Sequence, residues 1–213
     1  MTLLLSDPRV AAVPVHDTDE PLVPAPLGGR ATGVGALVRR EVAVRLGDAD
    51  AALPAGIRLH LAEGYRTPGA QQQIIDGYAA DLRRLHPAAD DAELERLGSR
   101  YVAPLAVAPH VAGAAVDLTL VDASGTELWM GCALDATPEE SRGACYLAAE
   151  GLDAEARHHR RILARALGGA GLVNYPTEWW HWSFGDRYWA LVVGAPAARY
   201  GAVATPAPAG ASR

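Results

Sequence analysis

Four residues in two short segments have the types and the spacing of a metal-dependent hydrolase. His110 and Asp117 lie seven residues apart in the stretch APHVAGAAVDLTL, and Glu178 and His181 lie three apart in TEWWHWSF. A catalytic zinc ion usually takes three protein ligands, often imidazole or carboxylate, and keeps a fourth position for water. A further carboxylate beside that water is suited to act as general base. The four residues therefore predict a hydrolase with one zinc ion per chain.

Asp117 is unusual because it interrupts an apolar stretch. It lies in residues 115–120 (AVDLTL), which have the composition of a buried strand. An ionised carboxylate is costly to bury unless it is paired or binds a metal ion. Gly113 would let the chain turn tightly, which would bring His110 back towards Asp117. The alternative is that Asp117 pairs with an arginine or caps the backbone.

Glu178 and His181 require a bend in the chain. Residues three apart on a regular strand point to opposite faces of a sheet, whereas on a turn they can converge. We therefore expect the segment to turn, so that His181 binds the metal ion while Glu178 reaches the water. The alternative is that residues 178–182 (EWWHW) form only an aromatic core segment, because their three tryptophans carry large apolar surfaces.

Arg66 is a candidate for binding negative charge. It follows a predicted strand and precedes a Pro-Gly loop, a position from which a side chain can point into a cleft. A guanidinium is always charged and presents a planar fork of donors. It could therefore bind a substrate carboxylate or the oxyanion of a tetrahedral intermediate. The alternative is an ordinary surface ion pair.

Strands interrupted by helices, with a hairpin and without regular βαβ alternation, predict an α+β fold. We expect a small antiparallel sheet flanked by helices, with the zinc site in a central cleft. Apolar periodicity and turn signals predict helices over residues 35–46, 70–85, 91–97 and 154–167, and strands over 57–65, 114–121, 127–130, 178–184 and 188–193. We expect residues 1–30 to be an extended N-terminal segment, residues 31–200 the catalytic domain, and residues 201–213 a disordered tail rich in Ala, Pro and Gly.

Composition argues against several classes of function. The chain has 213 residues and a formal net charge of −6, whereas a surface that binds nucleic acid is basic. It contains no apolar run of membrane-spanning length and no signal-peptide pattern at its start. Cys132 and Cys145 form neither a CxxC pair nor a disulfide framework. We therefore expect a cytoplasmic protein with a small-molecule substrate and no nucleic-acid, membrane or obligate protein partner.

At the residues singled out above, the chain resembles the zinc D-alanyl-D-alanine metallopeptidases, the family that holds vancomycin-resistance D,D-dipeptidases and D,D-carboxypeptidases. Three motifs carry the resemblance in the family's order and separation, namely GYR at residues 64–66, HxxGxxxD at 110–117 and ExxH at 178–181. Each motif alone is weakly specific, and the three in order are strongly specific. The resemblance covers about residues 30–193.

The resemblance implies a role for each candidate residue. It implies His110, Asp117 and His181 as zinc ligands, Glu178 as general base and acid, and Arg66 as the stabiliser of the transition state. It places Glu63, where the family commonly has Asp, and Tyr65 among the substrate-binding residues. Asp135 matches the acid that receives the free ammonium group of the substrate.

Within the family, the dipeptidase branch is the closer one, because residues 130–135 (MGCALD) and the Glu-Trp-Trp-His run are similar to it. The resemblance implies hydrolysis of D,D-dipeptides such as D-Ala-D-Ala, in cell-wall metabolism or antibiotic resistance. Ala108 departs from the serine that usually helps to hold the substrate carboxylate, which leaves strict preference for D-Ala-D-Ala open. The alternatives are a D,D-carboxypeptidase or peptidoglycan endopeptidase acting on longer cell-wall peptides, and a non-catalytic zinc-containing module that binds peptides.

Overall fold

The computed structural model describes residues 2–203 and confirms the expected α+β fold. The strands are β1 (Leu22–Pro24), β2 (Leu37–Arg39), β3 (Arg58–Glu63), β4 (Ala115–Val121), β5 (Val173–Asn174) and β6 (His181–Ser183). The helices are α1 (Pro8–Ala12), α2 (Arg40–Ala51), α3 (Pro68–Leu85), α4 (Asp91–Gly98), α5 (Ala154–Gly169) and α6 (Arg187–Val193), with short 3₁₀ helices at Gly33–Ala36 and Leu105–Val107. None of the helices in residues 2–203 has both the length and the apolar character needed to cross a membrane.

The central sheet has four antiparallel strands in the order β3-β4-β6-β5. Strand β4 lies inside this sheet, and all of its residues are buried. Alternate residues of a strand project to opposite faces. Val116, Leu118 and Leu120 share one face and belong to the main core cluster, together with residues of α2 and α5 such as Leu46 and Leu163. The intervening residues of β4 therefore project to the opposite face.

The register of this sheet places three candidate site residues in one row. Glu63 on β3 pairs with Asp117 on β4, and Asp117 pairs with His181 on β6. A register shift between Leu61 and Glu63 comes directly before the row, and such bulges re-aim side chains. Because directly paired residues project to the same face, the three side chains lie on one side of the sheet.

Two of the predicted strands are wrong. Residues 188–193 belong to helix α6, because the side chain of Asp186 accepts hydrogen bonds from backbone N–H groups of the first turn and caps a helix. A short apolar run does not by itself distinguish a strand from a buried helix. Residues 127–130 form no strand, since Glu127 makes only an isolated bridge to the end of β4.

Other boundaries differ less. The helix predicted over residues 35–46 begins at Arg40, because residues 37–39 pair with β1 instead. The described part of the N-terminal segment, expected to be extended, contains helix α1 as well as strand β1. Most of the predicted tail, residues 204–213, lies outside the described residues. The other predicted helices are confirmed as α3, α4 and α5.

Candidate metal centre and catalytic cleft

His110 reaches the row of site residues from a turn that precedes β4. At the end of this turn Gly113 has a φ of +66°, and a Cβ atom there would lie 2.3 Å from Cδ2 of Leu22. The left-handed backbone and the close approach both require glycine. Nδ1 of His110 lies 2.6 Å from the carbonyl oxygen of Gly64. Because a carbonyl can only accept, Nδ1 is the donor, and Nε2 of the neutral ring is free to bind a metal ion.

The structure brings His110, Asp117 and His181 together. Nε2 of His110 lies 3.3 Å from Oδ2 of Asp117 and 3.1 Å from Nδ1 of His181, and that Nδ1 lies 3.1 Å from Oδ1 of Asp117. One ligand atom from each residue lies within 4.8 Å of the others, and all three residues are buried. The donor types, their convergence and the carbonyl partner of His110 fit one zinc ion.

Burial and charge set the protonation of this cluster. Burial by itself would raise the pKa of Asp117, but His110 and His181 outweigh burial and hold that pKa below its ordinary value. Burial lowers the pKa of His181. Burial would also lower the pKa of His110, yet the neighbouring Asp117 carboxylate raises it. The Asp117 carboxylate thus stabilises the protonated form of His110. Because a metal ion displaces protons from its ligands, a divalent cation bound here would replace that proton.

Glu178 lies in a tight turn before β6. Its N–H donates to the carbonyl of Tyr175 at 2.9 Å, and Nδ2 of Asn174 donates to the carbonyls of both Glu178 and His181. The turn confirms the predicted bend and places Oε2 of Glu178 3.7 Å from Nδ1 of His181. Burial, reinforced by the charge of Asp117, raises the pKa of Glu178 well above its ordinary value. A buried carboxyl group with a raised pKa is suited to take up and return a proton.

Arg66 follows β3 and is held firmly beside the cluster. Its Nε and Nη2 donate to the carboxylate of Glu63 at 2.8 and 2.5 Å, and its Nη1 donates to Oε1 of Gln71 at 2.9 Å. The buried amide of Gln71 in turn donates to the carbonyl of Ala103. Nη2 of Arg66 also lies 3.9 Å from Oδ2 of Asp117. Glu63, expected to bind substrate, thus directs its carboxylate at Arg66.

Asp135 borders the cleft from the loop between β4 and α5. It has a left-handed backbone with a φ of +68°, a conformation that Asp adopts more readily than most residues. Its carboxylate pairs with Nη2 of Arg30 at 3.0 Å, and its carbonyl accepts from the hydroxyl of Tyr101 at 3.1 Å. Burial raises the pKa of Asp135 to about 6. Asp135 is thus positioned to offer a negative charge to a cationic group of a substrate at neutral pH.

All of these side chains border one cavity of about 240 Å³. Its lining includes the three potential metal ligands, Glu178 and Arg66, as well as Glu63 and Asp135. Tyr65 is not among the lining residues; it is buried, and its hydroxyl lies 3.4 Å from the carbonyl oxygen of Val203. The assignment of Tyr65 to substrate binding stays a prediction.

Sequence reasoning missed seven residues that line this cavity, namely Leu5, Gln71, Ile74, Tyr101, Val102, Ala103 and Tyr175. Gln71 had a usable signal, because it is a polar residue in the first turns of the helix that follows Arg66. Leu5 had none, because it is one of three consecutive leucines far from the motifs. Only the tertiary fold brings such a residue to the cleft.

Comparison with known proteins agrees with this geometry. A family model described as D-ala-D-ala dipeptidase matches residues 31–196. A D-alanyl-D-alanine dipeptidase from Synechocystis sp. (strain ATCC 27184 / PCC 6803 / Kazusa) is 27% identical over 216 residues, which covers 84% of this chain and 87% of the relative. Among solved structures, VanYB in complex with D-Alanine-D-Alanine superimposes with a TM-score of 0.51 and 19% identity, over 88% of this chain and 92% of that one. At this identity the structural likeness supports the fold alone.

Proposed function

We propose that this chain, which belongs to the D-ala-D-ala dipeptidase family, is a zinc metallopeptidase that hydrolyses small dipeptides of two D-amino acids, such as D-Ala-D-Ala. The observation that carries the proposal is the convergence of three potential zinc ligands, Glu178 and Arg66 on one small cavity. His110, Asp117 and His181 would hold the ion. When bound, zinc supplies Lewis acidity and positive charge beside the scissile carbonyl.

Glu178 would act as general base and then as general acid. It is buried, borders the cavity and has a raised pKa, so its carboxylate can accept a proton from the attacking water. The same proton is then available to the amine of the leaving amino acid. Proton transfer by a positioned side chain typically contributes about 10²–10⁴-fold to the rate.

Arg66 and Asp135 would recognise charge at two different stages of the reaction. The Arg66 guanidinium faces the metal cluster and keeps donors beyond those that Glu63 and Gln71 occupy. We assign it to the negative charge that develops on the scissile carbonyl oxygen. Asp135 would receive the free ammonium group, which is positively charged at neutral pH and present in every unblocked dipeptide.

The size of the cavity favours a short substrate. Its volume of about 240 Å³ is below the roughly 300–1,000 Å³ of pockets that hold drug-sized ligands. Ala108 stands where the family usually has the serine that helps to hold the substrate carboxylate, and its methyl group offers no hydroxyl for that contact. We therefore propose the class of D,D-dipeptides as substrates rather than D-Ala-D-Ala alone.

The test is the Glu178→Gln variant assayed for release of free D-alanine from D-Ala-D-Ala. We expect turnover to fall by about 10²–10⁴-fold while bound zinc, measured by elemental analysis, stays at one ion per chain. The exposed Glu150→Gln substitution is the matched control and should keep full activity. Turnover of Glu178→Gln close to that of the unchanged protein would overturn the assigned role.

One observation favours a second candidate, a carboxypeptidase or endopeptidase that acts on longer cell-wall peptides. Asp135 already has a cationic partner in Arg30. This carboxylate would therefore stay paired when a substrate without a free ammonium group binds. Rates on D-Ala-D-Ala and on its N-acetylated form distinguish the two candidates. Faster hydrolysis of the blocked peptide would favour the second.

We also propose a cytoplasmic location. Cys132 and Cys145 are both free thiols, the state that a reducing compartment maintains. Cell fractionation tests this location, and recovery mainly outside the cytoplasm would contradict it. A part in antibiotic resistance would follow from the same hydrolysis, and is tested by growth on vancomycin of cells that carry the unchanged protein or Glu178→Gln.

A further inference from the structure

Part of the wall of the catalytic cavity comes from the N-terminal segment. Leu5 lines the same cavity as Glu178 and is only 3% exposed. It lies outside residues 31–196, the part of the chain that the family model matches. From this placement we infer that Leu5 is a specificity-determining residue, which limits the size of the substrate side chain that the cavity accepts. The inference rests on the proposed D,D-dipeptidase function and deepens it.

Leu5 is held in place by the same turn that positions Glu178. The hydroxyl of Tyr175 accepts a hydrogen bond from the N–H of Leu5 at 3.1 Å and donates to the carbonyl of Ser99. The carbonyl of Tyr175 accepts from the N–H of Glu178 at 2.9 Å. The position of Leu5 is therefore coupled through a single residue to the position of the general base.

The segment is fastened at several points that follow Leu5 in the chain. The hydroxyl groups of Ser6 and Ser99 lie 2.7 Å apart. Helix α1 follows, with Asp7 as its N-cap and Val10 fully buried. The guanidinium of Arg187 then donates to the carbonyl of Val13 at 2.8 Å. A chain held at these points forms a fixed wall, unlike a terminus without such ties.

The chemistry of this wall is apolar. Leu5 belongs to a buried cluster with Ala103, Val107 and Tyr175, and Val102 and Ala103 line the cavity with it. A small aliphatic side chain fits such surroundings, and a longer one would meet the leucine side chain. Since one methylene in an apolar pocket changes selectivity by about 10–200-fold, shortening Leu5 should admit larger side chains.

The experiment compares kcat/KM for D-Ala-D-Ala with kcat/KM for D-Leu-D-Ala and D-Ala-D-Leu in the full-length zinc enzyme. We expect Leu5→Ala to raise the relative kcat/KM of at least one of the leucine-containing substrates about tenfold or more. Leu4→Ala is the matched control, because Leu4 packs against the same cluster but lies outside the lining of this cavity. Leu4→Ala should leave the ratio of kcat/KM values between the leucine-containing substrates and D-Ala-D-Ala within about twofold of that of the unchanged protein.

The outcomes separate this inference from the proposed function. A folded Leu5→Ala protein with an unchanged substrate ratio overturns the inference and leaves the function intact. An unchanged protein that hydrolyses none of the three dipeptides overturns both. If Leu5→Ala does not fold, Leu5→Val removes less volume, and an intermediate shift in the same ratio is the supporting result. A merely structural role of Leu5 would change stability without changing the ratio.

Discussion

Replacement of Arg66 by lysine tests the role of the guanidinium while keeping its charge. Three side-chain hydrogen bonds hold Arg66, two to Glu63 and one to Gln71. A guanidinium has five N–H donors, so two remain for the substrate. A lysine ammonium is a single point of charge on a flexible stem. It can pair with Glu63, but it cannot also reach the other positions that the planar fork covers.

The expected magnitude follows from this geometry. Loss of one donor to a developing oxyanion typically costs about 10²–10³-fold in kcat, or roughly 2.7–4 kcal/mol. Lysine should keep one ionic hydrogen bond to Glu63, so we expect the free energy of unfolding to fall by only about 1–2 kcal/mol. For a chain of this size that lowers Tm by roughly 2–8 °C. The loss of activity should therefore greatly exceed the loss of folded protein at assay temperature.

The assay is steady-state hydrolysis of D-Ala-D-Ala, with kcat and KM determined separately. An interaction made only in the transition state lowers kcat and leaves KM nearly unchanged. Arg58→Lys is the matched control, because Arg58 pairs with Asp50 at the other end of the same strand, away from the cavity. A kcat for Arg66→Lys within fivefold of the unchanged protein would refute the reasoning. An increase confined to KM would instead assign Arg66 to the ground-state substrate.

Three further predictions concern the metal, the ammonium site and the fold. Removal of zinc by a chelator should abolish turnover and lower Tm, since a buried carboxylate loses its partner. Activity that persists in verified metal-free protein would contradict the assignment of zinc to the reaction. Asp135→Asn should raise KM for D-Ala-D-Ala roughly tenfold and leave the N-acetylated peptide unaffected. Because burial raises the pKa of Asp135 to about 6, binding of the free dipeptide should weaken as the pH falls below that value, and this dependence should be missing in Asp135→Asn. Arg160→Met should lower the free energy of unfolding by about 3 kcal/mol or more in urea titrations, because its guanidinium donates to four main-chain carbonyls.

The elements that carry the motifs could be predicted because their signals are local. The strand around Asp117 is marked by its apolar neighbours, and the helix over residues 70–85 by its helical pattern. Pro68 and Gly69, predicted to form a loop, are the first residues of that helix, because Thr67 caps it. The bend at Glu178 followed from a simple geometric requirement, since residues three apart on a strand diverge. The α+β fold, the zinc ion and the family resemblance could all be inferred from these segments.

The elements outside the motifs were harder to predict because several structures satisfy the same pattern. The apolar run of α6 suits a strand as well as a helix, and the N-cap Asp186 decides between them. The contacts of Leu5 and Arg30 could not be predicted at all. Arg30 and Asp135 lie 105 residues apart in sequence, and no periodicity links such positions. Tyr65 shows the converse, because a residue inside a candidate motif is buried and lies outside the lining of the cavity.

The three residues of the GYR motif have three different tasks. Gly64 is needed for space, since a Cβ atom there would lie 2.5 Å from the carbonyl oxygen of Leu37. Its own carbonyl orients His110, and the N–H of Arg66 donates back to the carbonyl of His110 at 3.2 Å. Tyr65 is buried, and its N–H donates to the carbonyl of Leu37 at 2.7 Å. The distance between His110 and Arg66 is therefore set by backbone contacts, so Gly64 and Tyr65 can support the proposed chemistry without touching the substrate.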